Sequence, residues 1–275
     1  MSQIKVSLSI RSSGHCLAYA NHVVKGDPRK KIRFEATWAI IEHPSEGIIL
    51  FDTGYTSRFH KATKKFPNSI YAKLTKVEVA NEQEAKNQIS PDLVKHIIIS
   101  HLHADHVGGI LDFPNAIYWT SDECLEEFQN LPKWKGFSKG LLHDLFPNDW
   151  VNNCREFKSF NTIEHVILGI GYDIFGDNSI VMFPLPGHAA GQHGALIQTN
   201  NGPVFLVADA FWDIRAITNN LGPNPIVRLF FDDWKAYNET LKKLQIFHES
   251  NPEIPLLASH CPNTATLIET KIHSK

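Results

Sequence analysis

The sequence has few of the features that mark a secreted, disulfide-bonded or membrane-spanning protein. Its 275 residues include only four cysteines and two methionines. The cysteines are far apart and form no Cys-x-x-Cys pair: Cys16, Cys124, Cys154 and Cys261. This spacing argues against a zinc knuckle or a redox dithiol. So few cysteines in a chain of this length also argue against a disulfide framework.

Long apolar runs and a strong charge of one sign are also missing. No apolar run approaches the length that crosses a bilayer, and the N-terminal segment has neither a basic start nor a small-residue cleavage site. We therefore expect a cytoplasmic protein without a membrane partner. The formal net charge of −2 provides no overall attraction to nucleic acid, so we expect no nucleic-acid partner.

The composition is otherwise that of a globular protein, with an excess of histidine. Hydrophobic residues make up 43% of the chain and charged residues 20%, and there are 15 histidines. A chain of this length can bury a substantial core. Because we find no repeats or linkers, we predict a single domain over residues 1–275.

Short apolar runs that end in polar, glycine-rich turns predict strands. These runs are residues 34–42, 47–51, 96–100, 116–119, 180–183, 194–198, 204–208 and 254–258. Apolar spacing predicts a helix over residues 233–249, and shorter helices are expected near 81–88 and from about 123. Residues 55–90 and 123–154 lack the strand pattern, so we predict helical insertions there on a mixed α/β core.

Four candidate metal ligands follow the apolar run at residues 96–100, in the segment His101-Leu-His103-Ala-Asp105-His106. On an extended chain, residues two apart project to the same side, so His101 and His103 can share one ion. The chain must then turn, and Asp105 and His106 project toward a neighbouring position. Imidazole nitrogens with carboxylate oxygens suit zinc, and also iron, manganese or cobalt. The alternative is a histidine-rich surface loop.

Three further candidate ligands lie at the ends of later apolar runs: His188, Asp209 and His260. Taken singly, each is better explained as a helix cap, a surface acid or a hydrogen-bonded histidine. Together they complete a centre for two divalent metal ions, zinc by default, because they add a carboxylate that is able to bridge.

These motifs resemble the metallo-β-lactamase fold hydrolases, from about Phe34 to His260. The similarity rests on Phe51-Asp-Thr-Gly54, the His-x-His-x-Asp-His cluster, Pro186-Gly-His188, Asp209 and His260. The resemblance implies an α/β fold, a four-layer αββα sandwich with the site at one edge of its two sheets. It also implies that one metal is held by His101, His103 and His188, that the second is held by Asp105, His106 and His260, and that Asp209 bridges them.

The same resemblance places Asp52 beneath the site, where it accepts a hydrogen bond from a liganding imidazole. A role in closing the turn with Gly54 is equally compatible with the sequence. Two ions about 3.5–4 Å apart can hold a bridging hydroxide that attacks a carbonyl carbon or a phosphorus. Asp105 is then the expected proton shuttle to the leaving group.

Within the family, the chain is most similar to the N-acyl homoserine lactonases, which implies a small-molecule lactone substrate. Asp209 argues against a β-lactamase, because the common classes carry cysteine or serine there. Many lactonases have a substrate-binding tyrosine three residues after the bridging aspartate. Trp212 stands at that position here, and its indole N–H donates from a different place. We predict Asp105 and Trp212 as catalytic residues.

Several alternatives stay open at this point. They are thioester hydrolysis of the glyoxalase II type, phosphodiester hydrolysis, and binding of a small molecule without catalysis. The aromatic residues of 123–154 either form the wall of an acyl-chain pocket or pack the insertion onto the core. The sequence also leaves a homodimer open.

Overall fold

Two mixed β-sheets form the centre of the computed structural model, which describes residues 3–268. The seven strands of the first sheet lie in the order β4-β1-β2-β3-β5-β6-β7. They are β1 (Ser7–Tyr19), β2 (Lys31–His43), β3 (Gly47–Phe51), β4 (Val77–Glu78), β5 (Val94–Ile98), β6 (Ile117–Thr120) and β7 (Cys154–Glu156). Strands β3, β5, β6 and β7 pair in parallel, and the others pair antiparallel.

The second sheet has six strands in the order β13-β12-β11-β10-β9-β8. They are β8 (Asn161–His165), β9 (Gly169–Asp173), β10 (Ile180–Pro184), β11 (His193–Thr199), β12 (Gly202–Ala208) and β13 (Leu256–Ala258). Only β12 and β13 pair in parallel, but β10 runs in the same direction as both because β11 is antiparallel to its two neighbours.

Helices fill the segments between the strands of the described chain. The α-helices are α1 (Ala20–Val23), α2 (Arg58–Ala62), α3 (Ser69–Leu74), α4 (Ala85–Gln88), α5 (Ala104–Val107), α6 (Asp122–Asn130), α7 (Arg215–Thr218), α8 (Trp234–Ser250) and α9 (Pro262–Ala265). Short 3-10 helices span Asn81–Gln83, Pro91–Leu93, Ile110–Asp112, Gly136–Lys139, His143–Leu145, Trp150–Asn153, Phe157–Ser159 and Pro225–Phe230. Among the described residues, no helix is long and apolar enough to cross a membrane.

Side chains alternate between the two faces of each strand, so the apolar residues form two cores: one between the sheets and one between the sheets and the helices. Ile49 and Ile98 of the first sheet pack between the sheets together with Met182 and Ile197 of the second. Neighbouring residues point outward and are covered by helices, as Phe205 is by Phe247 of α8 at a ring distance of 5.5 Å. Helices therefore cover both outer faces, and the predicted αββα sandwich is confirmed.

Several predicted strands and helices are present, with boundaries that differ from the predicted ones by a few residues. The strand predicted at residues 47–51 is β3, and the long helix predicted at residues 233–249 is α8, whose N-cap is Asp233. The short helix predicted near residues 81–88 is instead two pieces, Asn81–Gln83 and α4, because Glu84 between them is extended with φ −60° and ψ 139°.

Five strands were not predicted: β1, β4, β7, β8 and β9. Strand β4 lies within the segment 55–90, which was predicted to be a helical insertion, and β7 begins at the end of the segment 123–154. Strand β1 contains Ser12, Ser13 and His15, which are polar yet buried, and its pairing with β2 shifts register at this point. Strands β8 and β9 form the outer hairpin of the second sheet, where most side chains are exposed or half-buried. An apolar-run criterion misses β1 and the outer hairpin because polar residues interrupt most of their length, and it misses β4 and β7 because they are only two and three residues long.

Candidate metal centre

The predicted cluster lies in the segment that follows β5, and helix α5 carries two of its four residues, Asp105 and His106. The strand ends at Ile98, and the chain runs through a short loop to His103, the residue before the helix. His101, Asp105 and His106 are buried, and His103 is half-buried. The cluster is therefore part of the interior, and the alternative of a histidine-rich surface loop is wrong.

The loop after β3 packs closely against this helix. The Thr53 amide donates to the carbonyl oxygen of His106 at 2.7 Å, and the Gly109 amide donates to Thr53 Oγ1 at 3.0 Å. A Cβ atom at Gly108 would lie 2.5 Å from the carbonyl oxygen of Gly54, so only glycine permits this approach. The contact brings Asp52 directly behind the histidine cluster.

The second half of the site comes from the ends of β10, β12 and β13. His188 follows β10 after Gly187, whose φ is +124° and whose Cβ would lie 2.1 Å from the Tyr237 amide nitrogen. Asp209 follows β12 directly, and His260 lies two residues after β13. All three side chains are buried.

The structure brings all seven predicted ligand residues together. Within each of three groups, the candidate ligand atoms lie within 4.8 Å of one another. These groups are His101, His103 and His188; His101, His106 and Asp209; and Asp105, His106 and His260. The Asp209 carboxylate contacts His106, His188 and His260 at 3.4, 3.3 and 3.1 Å. The Asp209 carboxylate therefore lies between histidines of both predicted metal groups.

Several polar atoms in this cluster make no hydrogen bond of good geometry, although two of them, His106 Nε2 and Asp209 Oδ1, face each other at 3.4 Å. They include His101 Nε2, His106 Nε2 and Asp209 Oδ1. A buried polar atom without a hydrogen bond costs about 1–3 kcal/mol, and a bound cation would compensate for that cost here. Lone pairs of imidazole and carboxylate that converge in this way fit divalent cations, and the nitrogen-rich donor set suits zinc.

Neighbouring groups contact two of the imidazoles at the ring nitrogens that face away from the centre. His106 Nδ1 donates to Asp52 Oδ2 at 2.7 Å, and Asp52 also accepts hydrogen bonds from the amide and hydroxyl of Ser100. Asp52 is itself in the left-handed region with φ +62°, so it both turns the chain and supports His106. His260 Nδ1 contacts the carbonyl oxygen of Glu35 at 2.6 Å. Each contact directs the opposite ring nitrogen into the centre.

Burial and the neighbouring charges set the protonation states in the absence of metal. Burial lowers the pKa of His101, and it lowers the pKa of His188 to about 3. Burial also opposes a charged His260, but the Asp209 and Asp105 carboxylates outweigh it and raise the pKa of His260 to about 10. Burial of Asp105 is likewise outweighed, by His106 and His260, and its pKa falls to about 2. Asp105 is therefore ionised at neutral pH.

Trp212 lines the site, and its indole N–H is hydrogen-bonded to another residue of the site. Its indole Nε1 donates to Asp209 Oδ2 at 3.2 Å. The ring forms part of a cavity of about 400 Å³ that opens onto His103, Asp105 and Asp209. The predicted contact from Trp212 to a substrate stays a prediction, because in this structure the indole hydrogen bond is made to the carboxylate.

Most of the residues that form the cavity wall belong to no sequence motif. They include Cys16 and Phe34 from β1 and β2, Tyr71 from α3, and Leu229 and Phe230 from the 3-10 helix Pro225–Phe230. Phe34 stacks on the His260 ring at 3.9 Å with an interplanar angle of 17°. These residues are distant in sequence and share no motif, so no local signal identifies them.

The aromatic residues of the second insertion mostly pack together. Phe128, Phe146 and Trp150 contact one another at ring distances of 4.8 to 6.2 Å, whereas Trp134 is exposed. Of the aromatic residues in 123–154, only Phe137 lines the cavity at the metal centre. The packing role therefore accounts for most of them. The insertion also approaches the site through Gly140, where a Cβ would lie 2.4 Å from the His103 ring.

Known proteins share both sequence and fold with this chain. The N-acyl homoserine lactonase AttM of Azorhizobium caulinodans is 30% identical over 135 residues, or 46% of this chain and 44% of that protein. A probable metallo-hydrolase of Mycobacterium tuberculosis is 21% identical over 244 residues, or 82% of this chain and 74% of that protein. The alignments with the AttM lactonases thus span less than half of those proteins.

A solved structure supports the same fold. It is that of an N-acyl homoserine lactone hydrolase with the product N-hexanoyl-L-homoserine bound at its catalytic metal centre. It matches with a TM-score of 0.71 and 18% identity over 98% of each chain. The family model of the metallo-beta-lactamase superfamily matches residues 33–248, well over half of the sequence. The chain is therefore a member of the metallo-β-lactamase superfamily.

Proposed function

We propose that this protein is a dinuclear metal-dependent hydrolase that opens a lactone ring. The observation that carries the proposal is the convergence of seven buried or half-buried candidate ligand side chains, three atoms of which make no hydrogen bond. One ion would be held by His101, His103 and His188, and the other by Asp105, His106 and His260. Asp209 would contribute to both, because it contacts histidines of both groups.

Divalent ions at this site would supply Lewis acidity, which polarises a carbonyl group and activates water. The protein residues would supply orientation and proton transfer. Asp105 is ionised and lines the cavity, so its carboxylate would accept a proton and pass it to the leaving oxygen. Trp212 would orient the Asp209 carboxylate through its indole N–H.

The character of the cavity supports a small, partly apolar substrate. Phe34, Leu74, Phe137, Trp212 and Phe230 line it alongside the polar centre. Such a space suits an ester with a polar ring at the metals and an apolar chain. The similarity to the AttM lactonases favours a lactone, and the nitrogen-rich ligand set favours zinc, with iron, manganese or cobalt as other candidates.

Turnover on a substrate panel tests the proposal. Protein reconstituted with zinc would be assayed by pH-stat against N-acyl homoserine lactones, acyl thioesters and a chromogenic phosphodiester. We expect the lactones to be hydrolysed fastest. Fast thioester or phosphodiester cleavage without lactone opening would replace this substrate class with one of the other two.

Elemental analysis and two variants test the centre itself. Wild-type protein should bind two ions per chain, and Asp209→Ala should lose at least one ion and almost all activity. Asp177→Ala is a matched control. Asp177 contacts a different buried histidine, His43, at a distance of 3.1 Å, and neither residue belongs to the site. Binding of only one ion by the wild type would exclude a dinuclear mechanism.

A further inference from the structure

Ser100, the residue before the ligand cluster, contacts an imidazole that the two supports described above do not reach. Its hydroxyl oxygen lies 3.0 Å from Nδ1 of His101. Nδ1 of His188, a predicted ligand of the same ion, has no hydrogen-bond partner. Ser100 therefore offers this half of the centre a support that His188 lacks.

The main chain of Ser100 is held on both sides. Its amide donates to Asp52 Oδ1 at 2.9 Å, and its carbonyl oxygen accepts a hydrogen bond from the His193 amide at 3.0 Å. Asp52 follows strand β3 of the first sheet, and His193 begins strand β11 of the second. Ser100 and Asp52 are both fully buried. Because both sheets fix the serine, its hydroxyl cannot move away from the His101 ring without breaking these bonds.

The direction of each hydrogen bond at this hydroxyl follows from the protons available. The Ser100 hydroxyl has one proton and two lone pairs, whereas the Asp52 carboxylate only accepts. Asp52 Oδ2 lies 2.8 Å from the hydroxyl oxygen, and a hydrogen bond to a charged acceptor is stronger than one to a neutral ring. The serine proton therefore goes to Asp52, and the hydroxyl oxygen acts as an acceptor toward His101.

An acceptor at Nδ1 determines which nitrogen of His101 is free to bind an ion. A neutral imidazole carries one proton, and only the nitrogen without a proton can ligate a metal. When Nδ1 donates to Ser100, Nε2 keeps its lone pair. Nε2 of His101 is also the ring atom that makes no hydrogen bond in the structure. The two observations agree, because both assign the ring proton to the outer nitrogen and the lone pair to the centre.

The same hydroxyl is close to a second imidazole, but that contact is the weaker one. Ser100 Oγ lies 3.3 Å from Nδ1 of His106, whereas Asp52 Oδ2 accepts the proton of that nitrogen at 2.7 Å. Asp52 therefore contacts His106 directly and contacts His101 only through Ser100.

We propose that Ser100 is a positioning residue whose hydroxyl fixes the His101 ring with Nε2 directed at a metal ion, and that Asp52 holds the hydroxyl in this role. The proposal rests on the proposed metal centre and deepens it. Ser100 itself touches neither the ion nor the substrate. Loss of the hydroxyl should weaken binding of the ion assigned to His101 more than binding of the other ion.

A purely structural role is the alternative. Ser100 would then serve only to satisfy the buried Asp52 carboxylate, and its loss would lower stability without changing the His101 ring. Three variants separate the two roles. Ser100→Ala removes the hydroxyl, and Ser100→Thr keeps it. Ser179→Ala is the matched control, because the buried Ser179 hydroxyl lies 3.0 Å from Nε2 of His43, a histidine outside the centre.

Two measurements report on the His101 ring without using a substrate. Chelator competition gives the zinc affinities, and long-range proton–nitrogen spectra of zinc-saturated, histidine-labelled protein show which ring nitrogens carry protons. The His101 signal is identified by its loss in His101→Asn. We expect a slowly exchanging Nδ1 proton on His101 in the wild type. In Ser100→Ala this proton should exchange faster, and the affinity for one ion should fall about 10- to 100-fold. Ser100→Thr should restore both properties, and Ser179→Ala should change neither.

An unchanged Nδ1 proton and unchanged zinc affinities in Ser100→Ala would overturn the proposal. A lower melting temperature in Ser100→Ala, with neither measurement altered, would assign the serine to the structural role. If Ser100→Thr does not fold, the comparison of Ser100→Ala with the wild type still decides between the two roles. Neither measurement depends on hydrolysis, so failure of the lactone assignment leaves this test intact.

Binding of a single ion by the wild type would refute the dinuclear centre, whereas the His101 proton would still decide the role of Ser100.

Discussion

The orientation of the imidazoles at the centre depends on hydrogen bonds at the ring nitrogens that face away from it. Asp52 supports His106, and the Glu35 carbonyl supports His260. Trp212 contributes from the cavity side by donating to Asp209. These residues need not touch an ion or a substrate, yet they determine whether the ligand atoms converge.

Replacing Asp52 should weaken metal binding without unfolding the protein. In Asp52→Asn, the amide tolerates the left-handed backbone but replaces one acceptor oxygen of the carboxylate, so His106 is less firmly oriented. We expect affinity for one ion to fall about 10- to 100-fold in a chelator competition assay. Asp177→Asn is the control, since it alters the support of His43 instead. Equal loss in both variants would contradict a specific role for Asp52.

Trp212→Phe separates support of Asp209 from contact with the substrate. The variant keeps an aromatic cavity wall and removes the N–H that Asp209 accepts. If the indole orients Asp209, kcat and metal content should fall while KM changes little, with a loss of about 10-fold or more. A rise in KM with unchanged kcat and metal content would indicate that the N–H binds substrate instead.

At the scale of secondary-structure elements, the insertion at residues 123–154 forms a support for the site. Its 3-10 helix Gly136–Lys139 ends at Gly140, whose φ is +70°, and Leu141 bridges to His103. The chain therefore lies against the ring of a predicted metal ligand. This arrangement couples the position of His103 to the conformation of a segment far from it in sequence.

Gly140→Ala should disturb His103 as well as the local backbone. A Cβ there would lie 2.4 Å from the His103 ring, and the positive φ adds about 1–2 kcal/mol of strain. Gly169→Ala is the matched control, because Gly169 also has a positive φ, of 84°, but nothing lies within 4 Å of its Cβ position. We expect both variants to lose stability in urea, and only Gly140→Ala to lose metal affinity. Unchanged metal affinity in Gly140→Ala would show that the loop does not position His103.

The strand-end residues could be predicted from sequence because the signals are local. Asp52 directly follows the apolar run of β3, and Asp209 directly follows that of β12. Strand β1 escaped prediction because its inward-facing residues are stabilised by distant partners, as Ser13 is by Trp38. The cavity wall depends on such long-range pairing. Cys16 and Phe34 therefore could not be assigned to the site from the sequence.

At the scale of the whole molecule, both sheets contribute to each group of candidate ligands. His101, His103, Asp105 and His106 follow the first sheet, whereas His188, Asp209 and His260 follow the second. The carboxylates also hold protons on His106 and His260 in the metal-free protein, by raising the pKa of both. Metal uptake is thus linked to pH.

Zinc affinity should increase as pH rises. The pKa of His260 is about 10 without metal, so at neutral pH an incoming ion must displace its proton. This linkage persists until pH approaches the pKa, so the apparent dissociation constant should fall steadily between about pH 6 and 9. Calorimetry in buffers of different ionisation enthalpy would count the released protons. A dissociation constant that is independent of pH would mean that His106 and His260 are already neutral.

The contact between Gly108 and Gly54 gives the site little tolerance for mutation on either side. A methyl group at Gly108 would lie 2.5 Å from the Gly54 carbonyl oxygen, and one at Gly54 would lie 2.4 Å from Ser13 Cβ. The segment carrying His106, the loop carrying Asp52 and strand β1 are thus in contact through glycines that cannot be enlarged one at a time. A substitution that moves any one of these segments would require compensating substitutions in the other two. We therefore expect the sequences of the three segments to change together among related proteins, even where the neighbouring sequence varies.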